Sequence, residues 1–156
     1  MLRQLSTVSI FVLIILISST FAEDKAGQVK GPIVITSETL SADNKAHTAL
    51  FEGSVVAKSE DMTLYSDKML VYYNEQTGNV TRIDAEGRVK LVKKDLLVTS
   101  KAASYFADGE KVIFTGEPRA VERGNVVTGT KMTYLLKEDR SIVENSRVLL
   151  ENKKGK

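Results

Sequence analysis

The chain has 156 residues, no cysteine and no tryptophan, and its 22 basic side chains nearly balance 20 acidic ones, for a formal net charge of +2. That balance gives no basic footprint for nucleic acid, and the missing thiols exclude disulfides and lipid attachment through cysteine, so the fold must be held by its own core and strand pairing. A single histidine, His47, has no second histidine or cysteine to share a metal with, and neither a metal nor a cofactor is expected.

The first 22 residues read as an export signal. Met1-Leu-Arg-Gln4 is a short basic start, Val8 to Ile17 is an apolar run broken only by Ser9, and Ser18 to Ala22 is a small-residue exit. The run is short for a membrane-spanning helix, so cleavage after Ala22 is expected, with retention as an anchor the rival outcome. Residues 23–32 are polar and without period, a flexible linker closed by Gly31-Pro32. Residues 33–150 form the one domain, and residues 151–156, with Lys153, Lys154 and Lys156, form a frayed basic tail.

Within the domain, Ile33 to Ser41 is expected as a single strand with Ile33, Ile35 and Ser37 on one face. A turn at Asp43-Asn44-Lys45 follows, Ala46 to Phe51 returns, and Gly53 breaks it. Val55 and Ala57 precede a polar turn from Lys58 to Asp61, and Met62, Leu64 and Ser66 follow it in strict alternation. The apolar positions resume one residue out of phase at Met69, Val71 and Tyr73, which predicts a bulge near Asp67-Lys68. Beyond the turn at Glu75–Asn79, Val80 to Ala85 and Arg88 to Leu91 are expected as two strands, the second with Val89 and Leu91 inward. Val98, Ser100, Ala103 and Tyr105 continue the pattern, Asp108-Gly109 signals a hairpin, and Val112 and Phe114 face inward after it. Val126 to Tyr134, with Met132 and Tyr134 inward, is expected as one strand before the last turn. No segment keeps a helical period, so the domain is predicted to be nearly all β, with about a dozen short strands.

The strands repeat. Phe51-Glu-Gly, Ala85-Glu-Gly and Phe114-Thr-Gly open equivalent units, and half-copies lie at Ile33–Leu40 and Asn145–Leu150. The small residues Ser37, Ser66, Ser100 and Gly129 mark a period of roughly 30 residues, the sign of stacked units completed by their neighbours. Gly53, Gly87 and Gly116 at matched places predict corners that fold the sheet on itself, leaving the half-copies as open edges.

Catalytic chemistry finds little support. Glu52 and Glu86 recur at an exposed place in the unit rather than as a converging pair, and Ser37, Ser66 and Ser100 have no motif-placed base. No nucleotide motif is present. Tyr73, Tyr105 and Tyr134 form a stripe, and tyrosines at the lip of an apolar trough suit a ligand with a greasy body and a polar head.

The units Phe51-Glu-Gly-Ser-Val-Val-Ala57, Leu64-Tyr-Ser-Asp-Lys-Met-Leu-Val-Tyr-Tyr73 and Thr128-Gly-Thr-Lys-Met-Thr-Tyr-Leu135 resemble the OstA-like family of lipopolysaccharide transport proteins. The resemblance covers Ile33 to Leu150, although Ser54, Arg88 and Glu117 stand where the family pattern has Asn. It implies a repeat-built β-jellyroll, folded like a taco from short antiparallel strands, with open edges. It also implies a non-enzymatic, periplasmic role: binding lipopolysaccharide by its lipid A acyl chains, associating head to tail, and linking an inner-membrane export complex to an outer-membrane translocon. Combined with strand parity, it implies a groove lined by Ile33, Ile35, Val55, Leu64, Met69, Val71, Val89, Leu91, Val98, Tyr105, Val112, Phe114, Met132 and Tyr134. An anchored inner-membrane relative and a structural or glycan-binding β-roll module are the alternatives.

Overall fold

The computed structural model describes residues 32–151. The signal, most of the linker and the tail beyond residue 151 lie outside them. Among the described residues there is no helix, and the chain forms twelve strands: β1 (Val34–Thr36), β2 (Thr39–Asp43), β3 (Thr48–Lys58), β4 (Thr63–Tyr73), β5 (Val80–Lys93), β6 (Leu96–Phe106), β7 (Lys111–Thr115), β8 (Arg119–Glu122), β9 (Asn125–Thr128), β10 (Lys131–Leu135), β11 (Arg140–Glu144) and β12 (Arg147–Leu149). Every pairing is antiparallel, as short turns between consecutive strands require.

The registers divide this sheet into two leaves. In the first leaf β2 lies on the opening half of β3, followed by the closing half of β4, the opening half of β5, the closing half of β6, then β7, β10 and β11. In the second leaf β1 lies on the closing half of β3, followed by the opening half of β4, the closing half of β5, the opening half of β6, then β8, β9 and β12. Only β3 to β6 run through both leaves. Edge strands are β1 and β2 at one end, β11 and β12 at the other.

The crease between leaves is made by the repeated glycines. Glu52 pairs with Lys68 and Val55 with Ser66, leaving Gly53-Ser54 opposite Asp67 alone. Glu86 pairs with Ala102 and Val89 with Ser100, leaving Gly87-Arg88 opposite Lys101. An extra residue on one strand bends it. Both residues of each bulge have positive φ, 81° and 48° at Gly53-Ser54 and 76° and 46° at Gly87-Arg88. A Cβ on Gly87 would also lie 2.8 Å from the Cβ of Asp67, so only glycine fits. The residue after each glycine then bonds the side chain that the glycine makes room for. Ser54 Oγ donates to Glu38 at 3.3 Å, Arg88 Nε to Asp67 at 2.9 Å, and Lys101 pairs with Glu117 at 2.9 Å.

These corners correct several strand assignments made from the sequence. Ile33 to Ser41 is two strands, because the chain changes leaf at Ser37-Glu38, where the Glu38 amide donates to the carbonyls of Glu52 and Gly53. Gly53 does not end a strand, and Val80 to Lys93 is one strand, because a bulge bends the ladder without stopping it. The predicted shift at Asp67-Lys68 is present, and the registers of both neighbours slip there. Val126 to Tyr134 is two strands, divided at Gly129-Thr130.

The inner faces of both leaves meet in one apolar cluster. Met69 and Phe114 are wholly buried, and Val55, Val89, Leu91, Val98 and Met132 nearly so. Small partners make room at the crease: Ser66 lies across from Val55, and Ser100 across from Val89.

Candidate functional site

Cross-strand pairing turns strand parity into continuous apolar rows. On the first leaf one row runs Val71, Ile83, Tyr105, Val112, Tyr134, each the backbone partner of the next. On the second leaf the facing row runs Ile35, Ala57, Leu64, Leu91, Val98, Ala120, Val127, Val148. Each row spans most of its leaf, so the interior between them extends across the sheet toward both edges.

Between these rows lies an apolar cavity of about 40 Å³. Ile33, Ala57, Ser59, Met62, Leu64 and Leu91 form its second-leaf wall, and Ile83, Ala103, Tyr105 and Val112 the first-leaf wall. Its only polar side chain besides the tyrosine is Ser59, whose hydroxyl is spent on the Met62 carbonyl at 3.2 Å. Burial, reinforced by the Glu110 carboxylate, pushes the Tyr105 hydroxyl above its ordinary 10.0, so this wall is uncharged at neutral pH. The volume is well below the roughly 300–1,000 Å³ of ordinary ligand pockets. A chain longer than a few atoms fits this cavity only if its walls part.

All fourteen residues expected to line a groove point into this interior. Val55, Met69, Val71, Val89, Leu91, Val98, Val112, Phe114, Met132 and Tyr134 belong to the buried cluster, and Ile33, Ile35, Leu64 and Tyr105 pack against it. Five of them, Ile33, Leu64, Leu91, Tyr105 and Val112, also line the cavity, whereas Phe114 and Met132 lie deeper in the packing. Ala57, Met62, Ile83 and Ala103 line it without having been in the expected set. Their inward parity was readable in the alternation; their convergence on one cavity needs the cross-strand register.

Tyr134 is tied to the opposite leaf. Lys93, the next inward residue after Leu91, extends its ammonium across the interior to the Tyr134 hydroxyl at 2.9 Å, and to Asp139 at 3.6 Å. Tyr134 in turn donates to Asp139. Burial is the largest influence on Lys93 and acts to lower its pKa, but Tyr134, Asp139 and Asp61 together outweigh it and hold the ammonium above its ordinary 10.5. Lys93 is thus a cation at the rim of an apolar space.

The other candidates lie apart from this interior. His47 sits in the turn before β3, 3.6 Å from Glu75. Glu52 lies 3.8 Å from Lys68 on an exposed face, and Glu86 is exposed. No group of three or more potential metal ligands occurs among the described residues.

Six of the seven exposed large apolar side chains among the described residues lie at the open edges. They are Val34 and Leu40 on β1 and β2, and Ile142, Val148, Leu149 and Leu150 on or beside β11 and β12. Residues 34–140 match the LptA/(LptD N-terminal domain) LPS transport protein family. The chain belongs to that family. Its fold is also that of a solved structure: LptH, the LptA-homologous periplasmic component of the lipopolysaccharide transport device from Pseudomonas aeruginosa, superposes with a TM-score of 0.72 at 14% identity, over 81% of this chain and 99% of that one. No curated protein matches the sequence. No described helix is long and apolar enough to cross a membrane. Family membership and the all-β jellyroll agree with what the repeated units implied.

Proposed function

We propose that this member of the family is a periplasmic bridge protein that carries lipopolysaccharide from the inner to the outer membrane, with the acyl chains held between its two leaves. The observation that carries the proposal is the facing pair of apolar rows, which enclose a cavity and run toward an open edge at each end. Such an interior has no bond to break and binds only by burial, and each methylene withdrawn from water contributes about 0.8 kcal/mol. That gain offsets the separation of the leaves as acyl chains enter. Movement along the groove is then passive and is driven by partners, an export complex at the inner membrane and a translocon at the outer.

The edges supply the joints. Unpaired strands with exposed apolar side chains recruit another strand, so β1 and β2 of one copy meet β11 and β12 of the next, aligning the grooves head to tail. Photo-crosslinking to lipopolysaccharide in cells tests the reading. A photoreactive residue at Leu64 or Tyr105 is expected to label lipopolysaccharide, while one at Lys90, whose ammonium lies over the Tyr65 ring, stays unlabelled. Silent inward probes on a folded, exported protein would leave a dry structural core as the better account.

A further inference from the structure

The Lys93 contact joins strands that are not neighbours in the sheet. Between β5 and β10 stand β6 and β7, so the bond from Lys93 to Tyr134 crosses the space between leaves. It does so beside the cavity: Leu91, two residues before Lys93, lines it, and so does Val112, the backbone partner of Tyr134. The lysine side chain is only 15% exposed, whereas Asp139 is 80% exposed. An exposed carboxylate at that distance holds its partner weakly and can be exchanged for a better-placed anion. Asp139 is itself held charged, its carboxyl lowered first by the Tyr134 hydroxyl and further by Lys93 and Lys94 against the opposing effect of burial, so an entering anion must compete with it. Asp61 is the other carboxylate that acts on Lys93.

Resting on the groove reading above, we propose that Lys93 is the anion-recognition residue of the cavity. It selects amphiphiles whose head carries a phosphate, exchanging its Tyr134–Asp139 clasp for the phosphate oxygens when the chain enters. An ammonium offers three donors and binds phosphate as a point charge. A chain buried against Leu64 and Leu91 would bring its head to the rim where Lys93 lies, so the residue that closes the leaves also reads the ligand that opens them.

The test compares dodecyl phosphate with the neutral dodecyl maltoside, each below its micelle concentration, by calorimetry on the full chain. The wild type is expected to prefer the phosphate by about tenfold, the scale of one charge-assisted contact. Lys93→Met should erase that preference, Lys93→Arg should retain it, and Asp139→Asn, which removes a competing carboxylate at an exposed site, should strengthen phosphate binding several-fold. Circular dichroism of each variant establishes that it is folded. Binding of both amphiphiles with the same preference in Lys93→Met overturns the role of Lys93 alone. Binding of neither to the wild type overturns the groove reading and this inference together.

Discussion

The middle of the sheet and its two ends are built from the same repeating unit and come out opposite in character. In the middle, β3 to β6 cross the crease intact, each inner residue is covered by strands on both sides and by the facing leaf, and Met69 and Phe114 are wholly buried. At the ends the unit is cut in half, nothing among the described residues lies beyond β1, β2, β11 and β12 in their leaves, and Leu149 and Leu150 are each 67% exposed. A strand therefore becomes core or exposed apolar edge according to whether it has two neighbours or one, with little change in composition.

Substitutions at the two places should separate core from edge. Phe114→Ala removes a wholly buried ring and should cost about 3–5 kcal/mol, seen as a large drop in the urea midpoint; a loss below about 1 kcal/mol would mean that the leaves are loosely packed at the centre. At the crease, Gly87→Ala combines left-handed backbone with a clash against Asp67 and should cost about 2–4 kcal/mol. Gly78→Ala, in an open turn with nothing within 4 Å of its Cβ, keeps the backbone term alone and should cost clearly less; equal losses would show that the crease is not crowded. Ser54→Asn places at a φ of 48° the residue type that best tolerates it and should raise stability by up to about 1 kcal/mol, whereas no gain would mean that the Ser54–Glu38 hydrogen bond outweighs the backbone preference. At the edge, Leu149→Asp should change stability by no more than about 0.5 kcal/mol yet abolish concentration-dependent self-association in light scattering. Unchanged association would remove β12 from the joint.

Much of this was legible in the sequence because a strand with one buried face writes its parity into alternate residues. Val89 and Leu91 were assigned inward from Arg88-Val-Lys-Leu alone, and both are 1% exposed. The recurrence of Gly53, Gly87 and Gly116 located the corners. What the corners do to the strands was not legible: a glycine followed by a residue at positive φ can end a strand or bend it, and the difference lies in pairing partners distant in sequence. Hence β5 was read as two strands and Ile33 to Ser41 as one. The departures from the family pattern at Ser54, Arg88 and Glu117 acquire a meaning only with φ in hand, since these residues occupy left-handed positions that Asn fills with less strain. The cavity was half legible. Its polar rim was not, because the approach of Lys93 to Tyr134 across 41 residues leaves no periodic trace.

Pairing between chain neighbours also governs how the domain comes into being. The most widely separated backbone partners, Thr63 and Val92, are 29 residues apart, so every ladder closes a short loop, and loop entropy rises slowly at each addition. An all-β domain of such local topology should fold faster than sandwiches whose partners come from opposite ends of the chain. Each hairpin can zip onto the one before it, and the early units can take shape while the later ones are still being delivered. Until the last unit docks, the advancing rim is a bare strand at every stage, so a slow supply of chain lengthens the time in which a wrong partner can add to it.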